Sequence, residues 1–275
     1  MVSKGGEIFV IGAGSMSEAF IRGITKGGVV PPEQIRVLNK SRRDKLEQLT
    51  AGYGVRQATS FSDIQHADIV ALAVKPADVS QALSSALPFL DGQLLISFAA
   101  GVGLAQLERD SEGKAAAIRT MPNLPVSVSA GTTAVAFSED VGREERTVVL
   151  RLLEQLGDAV EMPEDMMDAV TALSGSGPGF LCYMLEAIED AAVSVGFTPE
   201  LARRMLLTTL TGTVRTLDEW ELSPRELRLR VMSPGGTTAA GVDVLEKNQV
   251  RQSIGKAILA AAQRSEELGR TYAKR

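Results

Sequence analysis

Short apolar runs alternate with helix-patterned stretches up to about Pro163, and beyond that point only helical spacing remains. The apolar runs Glu7–Ile11, Ile35–Leu38, Gly54–Gln57, Ile69–Val74, Leu94–Phe98, Ala116–Met121, Thr132–Phe137 and Ala159–Met162 read as strands. Between them, Ser15–Lys26, Arg43–Ala51, Asp63–Gln65, Val79–Leu87, Leu104–Leu107 and Arg143–Leu156 carry helical periodicity. Alternation at this pace predicts a doubly wound α/β sheet whose strands are mostly parallel and buried on both faces. The later helices are expected at Glu164–Ala172, Pro178–Val195, Thr198 to about Trp220, a short helix capped by Ser223, a stretch ending near Asn248, and Val250–Leu268. The division falls at residue 163, giving segments 1–163 and 164–275, with a flexible tail expected from Arg270.

Composition narrows the function. Apolar residues make up 44% of the 275 but aromatics only 4%, so the core must be aliphatic, with close Ala and Gly contacts. A formal net charge of -5 argues against a nucleic-acid partner. The longest apolar run, Ala67–Val74, is broken by Asp68, so no membrane span is expected. The first residues lead straight into a strand without a signal-peptide pattern, and a soluble cytoplasmic protein is the expectation. Cys182 and His66 are the only residues of their types, so neither a disulfide, a zinc centre nor a histidine relay is expected. Cys182 falls on an apolar helix face and reads as a buried core thiol, and His66 as a surface or boundary residue.

A glycine pattern follows the first strand. Gly12, Ala13, Gly14, Ser15, Met16 and Ser17 lie between it and the first helix, the context a dinucleotide fingerprint requires. Gly12 allows the tight turn, and Gly14 lets a pyrophosphate approach the backbone. Ser17 replaces the third glycine, where a small residue suffices for packing. The second strand ends at Asn39, Lys40, Ser41, Arg42 and Arg43. An acid that would hold a ribose 2′-hydroxyl is missing, and amide, hydroxyl and cations suit a 2′-phosphate, which points to NADPH with NADH as the alternative. Ala73, Val74, Lys75 and Pro76 end the fourth strand, and Ala99, Ala100 and Gly101 follow the fifth. Both are strand carboxyl ends, where such sheets bind ligands. Lys75 reads equally as a steering cation or a solvated loop lysine.

Met232 to Thr238 form the second candidate site. Pro234 is expected to start a helix, Gly235 and Gly236 to bare the backbone, and the first helical turn to offer N–H groups to a carboxylate. Ser233, Thr237 and Thr238 add hydroxyls. A helix cap beside a Gly-rich turn is the plainer reading of the same residues. The helices after Pro163 have broad apolar stripes with small residues on several sides. Such stripes fit either a helix-packed dimer interface or central helices, and periodicity does not separate the two.

Together these segments resemble Δ1-pyrroline-5-carboxylate reductases. The resemblance rests on Ile11–Ser17, Ala73–Pro76, Ala99–Gly101, Met121-Pro122-Asn123, Ala172–Pro178 and Ser233–Thr238, in the family's order over nearly the whole chain. The last two segments are the specific ones. Departures are Ser17 in the fingerprint and Lys40 where arginine is common. The resemblance implies an N-terminal Rossmann sheet followed by an all-α dimerisation and substrate-binding domain. It also implies reduction of a cyclic imino acid to L-proline with NAD(P)H, the last step of proline biosynthesis. A homodimer follows from it, with larger assemblies up to a decamer in the family. On this reading backbone N–H groups of Gly236 and Thr237, with Ser233 and Gly235, hold the substrate carboxylate. Thr238 meets the ring nitrogen, and the turn faces the other subunit's nicotinamide. Thr171, Ser176 and Met121 line the pocket, and Asn123 helps to wall the nicotinamide. For Ser176 a purely structural role stands beside this one.

Three rival readings remain. β-Hydroxyacid dehydrogenases share the architecture but rely on a lysine near the start of the long helix, and Ser174–Phe180 has none. A non-catalytic NADP-binding regulator should lose Thr238 or the site glycines, which this chain keeps. A six-membered cyclic imine differs from the five-membered one by a single methylene, a weak discriminator.

Overall fold

A computed structural model describes residues 6–40 and 42–273. Eight strands form one sheet: β1 Glu7–Ile11, β2 Ile35–Leu38, β3 Arg56–Gln57, β4 Ala67–Leu72, β5 Gln93–Ser97, β6 Ala115–Pro122, β7 Gly131–Phe137 and β8 Gly157–Glu161. Their order is β3-β2-β1-β4-β5-β6-β7-β8, and every neighbouring pair is parallel except β6 with β7. The crossovers carry α1 Ser15–Lys26, α2 Arg43–Tyr53, α3 Val79–Ala86, α4 Leu104–Asp110 and α5 Arg143–Leu153. The doubly wound sheet expected from alternation is therefore present, with the crossing point between β1 and β4.

Strand pleating explains the two cores. On β1, Ile8 and Val10 join a cluster with Phe20 and Ile24 of α1, Leu46 and Leu49 of α2 and Leu152 of α5. Phe9 and Ile11 point to the other face, among Val70, Leu72, Leu83 and Leu107. The few aromatics are used sparingly: Phe20 and Phe98 stack as a tilted pair with centroids 5.2 Å apart. Strand boundaries shift by at most two residues from the expected ones, β4 stopping at Leu72 rather than Val74, while α4 runs three residues further, to Asp110.

After β8 the chain makes a 3-10 turn at Glu164–Met166, then α6 Met167–Val170, then a π-helical turn at Thr171–Gly175. One continuous helix was expected there; the widened turn is closed by Ser176 N–H donating to Thr171 O at 2.8 Å. Next come α7 Gly177–Ser194, α8 Pro199–Glu219, α9 Pro224–Val231, α10 Thr237–Lys247 and α11 Val250–Ala273. The Ser223 capping box of α9 is formed with Glu226. The flexible tail expected from Arg270 is instead helical through Ala273.

The contacts group into two compact units, Met1–Ser176 with Ala261–Arg275, and Gly177–Ala260. In the first, the buried hydroxyl of Ser265 on α11 donates to Asp168 Oδ1 at 2.6 Å. In the second, α7 packs on α8, yet α7, α9 and α10 hold no buried residue and α8 only Ala202. Leu181, Ile188, Leu207, Val214, Leu245 and Leu259 are all exposed. Cys182 is exposed too, which corrects the expectation of a buried thiol: its apolar helix face is left uncovered by the described residues. Among the described residues no helix is long and apolar enough to cross a membrane.

One ion pair ties the first two strands. Arg36 donates to both carboxylate oxygens of Glu7, at 2.6 and 3.2 Å. That hydrogen bond holds the Glu7 carboxyl below its ordinary value, against the opposing effect of burial. A depressed carboxyl stabilises the fold above its unfolded pKa, and the contribution disappears as pH falls through the folded one. Glu7→Gln is therefore expected to lower stability by about 1 kcal/mol at neutral pH. The difference from wild type should vanish in the acid range below ordinary carboxylate titration, as read from urea midpoints over a pH series.

Candidate active site

The first unit gathers most of the expected cofactor residues at the carboxyl ends of β1, β4 and β5. Gly12 has φ of +114° and its N–H donates to Leu38 O at 2.8 Å. A Cβ at Gly12 would stand 2.5 Å from Ala73 O, so this turn admits only glycine. Ala73 N–H reaches Ile11 O at 2.9 Å, and Phe98 N–H reaches Leu72 O at 2.9 Å. The β1, β4 and β5 ends therefore lie side by side, with Ala13 and Ala99 buried behind them.

The Gly14 end of α1 is open. Gly14 is the N-cap, is exposed, supplies no side-chain cap, and has nothing within 4 Å of a hypothetical Cβ. The first-turn N–H groups of Ser15, Met16 and Ser17 have no partner within the helix, and the helix dipole adds positive potential there. An open glycine and unpaired donors at a crossing point form a cradle that fits a pyrophosphate. Ser17, the departure from the fingerprint, is fully buried, and its hydroxyl donates to Gly12 O at 2.9 Å. It is more than a small packing residue, because it closes the turn that the glycines open.

At the β2 end, Asn39 Nδ2 donates to Arg42 O at 3.0 Å and fixes the loop. Arg42 pairs with Asp44 at 2.9 Å, and that hydrogen bond lowers the Asp44 carboxyl and raises the guanidinium. A phosphate at Arg42 would have to share the cation with Asp44. Lys40 is exposed, and Ser41 lies outside the described residues. Val74 is half-buried, Lys75 is exposed and Pro76 begins a 3-10 turn. Ala100 is exposed beside Gly101, which has φ of +75°.

Met121, next to last in β6, lies against the π-helical turn. A Cβ at Gly175 would meet Met121 Cε at 2.7 Å and Thr171 Cγ2 at 3.7 Å, so these three residues are in one place. Thr171 Oγ1 donates back to Met167 O at 2.8 Å, and Ser176 follows as the cap of the turn. Asn123 is braced: its Oδ1 accepts from Thr132 N–H at 3.0 Å, so it shapes the β6–β7 connection.

Ser233–Thr238 belongs to the second unit. Pro234 does not start the helix. Gly236 N–H donates to Ser233 O at 3.0 Å and Gly235 has φ of +70°, a type II turn with proline at its second position. The helix α10 begins at Thr237, with Gly236 as N-cap and no side-chain cap. This corrects the donor set as well. Gly236 N–H is spent on the turn, and the free first-turn donors are those of Thr237, Thr238 and Ala239. A Cβ at Gly236 would fall on the Ser233 hydroxyl, so a larger residue there would displace it. Ser233, Gly235, Thr237 and Thr238 are exposed.

Comparison with known proteins decides among the readings. Residues 164–268 match the family model "Pyrroline-5-carboxylate reductase dimerisation", and residues 7–101 match "NADP oxidoreductase coenzyme F420-dependent". The chain is 35% identical to pyrroline-5-carboxylate reductase 2 of Bacillus subtilis, over 97% of this chain and 96% of that one. It belongs to the pyrroline-5-carboxylate reductase family. Among solved structures of pyrroline-5-carboxylate reductases, that from Coxiella burnetii superposes with a TM-score of 0.90 at 33% identity, covering 96% of this chain and 99% of the other. The pyrroline carboxylate reductase of Plasmodium falciparum, with NADP bound, gives 0.86 at 28% identity, covering 96% and 98%. Among the described residues no cluster of His, Cys, Asp or Glu could hold a metal ion.

For this pyrroline-5-carboxylate reductase, Gly12→Ala is the sharpest test of the β1–α1 turn. A positive φ and a 2.5 Å approach to a backbone oxygen leave no room to relax. The variant is expected to lose about 1–3 kcal/mol of stability by thermal melting. Its affinity for NADPH should fall by at least about tenfold, since the same turn forms the anion cradle.

Proposed function

We propose that this enzyme reduces the C=N bond of 1-pyrroline-5-carboxylate to L-proline with hydride from NADPH, NADH being the alternative donor. The observation that carries the substrate side is the bare N-terminus of α10. Its turn leaves the Thr237, Thr238 and Ala239 donors unpaired beside two threonine hydroxyls. A cyclic imino acid presents a carboxylate next to its C=N bond, and this arrangement addresses both groups.

The residues divide the work as follows. First-turn N–H groups of α10, with the Ser233 hydroxyl, hold the carboxylate. Thr238, at the second helical position, has no helical carbonyl four residues back to accept its hydroxyl, so Oγ1 is free for the ring nitrogen. It orients the imine and relays a proton to nitrogen. On the cofactor side, Gly12–Met16 cradle the pyrophosphate, Asn39–Arg42 meet the ribose phosphate, and Ala73–Pro76 with Ala99–Gly101 leave room for the nicotinamide. Met121, Thr171, Ser176 and Asn123 wall the pocket. When bound, reduced nicotinamide supplies the hydride. A protonated imine is already electrophilic, so positioning carries most of the rate and no strong base is required.

The assembly we propose is a homodimer in which one protomer's Ser233–Thr238 turn faces its partner's nicotinamide, with a decamer as the larger form. It divides at residue 163 into a dinucleotide-binding domain and a dimerisation and substrate-binding domain, and works in the cytoplasm. The exposed apolar faces of α7 to α11 and the dimerisation description of the matching model support the dimer.

The test is reduced-nicotinamide oxidation with racemic pyrroline-5-carboxylate, beside a six-membered cyclic imine. Consumption of half the imine with proline as product is the expected result. Thr238→Ala is expected to lower kcat by about tenfold to a hundredfold without abolishing it. An unchanged kcat removes the role given to its hydroxyl.

A further inference from the structure

Glu164 lies one residue past β8's Pro163-ended exit, in a turn that no catalytic argument above uses, yet it reaches the loop after β5. Its Oε1 accepts from Leu104 N–H at 2.6 Å and from Arg119 Nη1 at 3.2 Å. Leu104 is the first residue of α4, whose N-cap is Gly103 and which has no side-chain cap of its own. The carboxylate therefore caps this helix from 60 residues further along the chain. A Cβ at Gly103 would stand 3.1 Å from Glu164 Oε1, so glycine there makes room for the carboxylate. Arg119, on β6 beside β5, has a side chain only 12% exposed and holds the carboxylate from the sheet side.

The same loop is covered from a second direction. A Cβ at Gly269 of α11 would sit 3.6 Å from Gly101 O, and α11 is pinned in this unit by the Ser265–Asp168 hydrogen bond. The cleft between them, lined by Gly101, Gly103, Arg109, Arg119, Glu266 and Arg270, has the look of an anion site. Its charges are largely spoken for: Arg119 is paired with Glu164, and Arg270 with Glu266 at 3.4 Å. Of the two ion pairs, the one made by Glu164 serves the loop.

We infer that Glu164, braced by Arg119, is a positioning residue that fixes the Ala99–Gly103 loop and so sets where the nicotinamide ring can lie. The inference rests on the proposed reading of that loop as part of the cofactor site. The pyrophosphate cradle and the β2–α2 loop are not touched by Glu164, so ring placement should suffer and dinucleotide affinity should not.

The experiment compares wild type, Glu164→Ala and Glu164→Gln. Glutamine keeps an oxygen for Leu104 N–H but loses the charge that pairs with Arg119. Amide hydrogen exchange of the 99–107 segment, without cofactor, is expected to accelerate in E164A and less so in E164Q, with the segment around Gly12 unchanged. The kcat of E164A is expected to fall about tenfold and that of E164Q about threefold, with the NADPH Kd within twofold of wild type. The isotope effect with 4-deuterated NADPH should rise as hydride transfer becomes limiting. Unchanged exchange at 99–107, a wild-type kcat in E164A, or a loss that tracks a weakened NADPH Kd would overturn the inference. Should E164A not fold, Arg119→Lys takes its place with the same criteria. A wild type that does not reduce the imine defeats the functional reading instead, and the exchange data still decide whether Glu164 holds the loop.

Discussion

The pairing of β1 with both β2 and β4, all in one direction, is the constraint on which the rest depends. From β1 the chain passes outward to β2 and β3 on one side, then returns to place β4 on the other. The two crossovers separate at that point, at the carboxyl ends of β1 and β4. The register brings Ile11 level with both Leu38 and Leu72. The next residue must therefore turn within reach of the backbone of Ala73, which is why position 12 is glycine with a positive φ. Ser17 then ties that turn to α1. The donors left open at α1 are those of any helix N-terminus, and the tight corner is what sets them at the carboxyl end of β1.

Much of this was legible in the chain. Strand–helix alternation and a glycine pair at a strand end are local signals, and the doubly wound sheet and the tight β1–α1 turn can be read from them. What escaped was non-local or degenerate. Glu164 reads as the opening of a helix, and nothing nearby shows that its carboxylate caps another helix 60 residues earlier. The widened turn at Thr171–Gly175 has the composition of an ordinary α-helix, and it comes where Gly175 lies close against Met121. Pro234 has one sequence signature and two structural uses. Proline suits both the first position of a helix and the second position of a type II turn, and the glycine after it decided for the turn.

The helices of the second unit posed a different difficulty. An apolar stripe states that a face avoids water, but not whose surface covers it. Cys182 was assigned to a core on that basis, yet its face is open in the single chain, as are those of Leu181 and Ile188 beside it. A helical segment with so few buried side chains of its own cannot rest on internal packing in the way the sheet does. The membership of residues 164–268 in a dimerisation family supplies the missing partner class.

The lone antiparallel pair, β6 with β7, also bears on the order in which the sheet can assemble. Each parallel neighbour must wait for a crossover to close, and β1 meets β4 only after two helices and two other strands have been threaded between them. β6 and β7 are joined by a single short connection braced by Asn123, so they can meet at little entropic cost. This ribbon is the strand pair of the sheet with the least chain between its partners, and its β6 edge is also the one that β5 pairs with. The most local strand pairing thus lies in the half of the sheet farthest from the glycine turn, whereas the strands flanking that turn pair only across long crossovers.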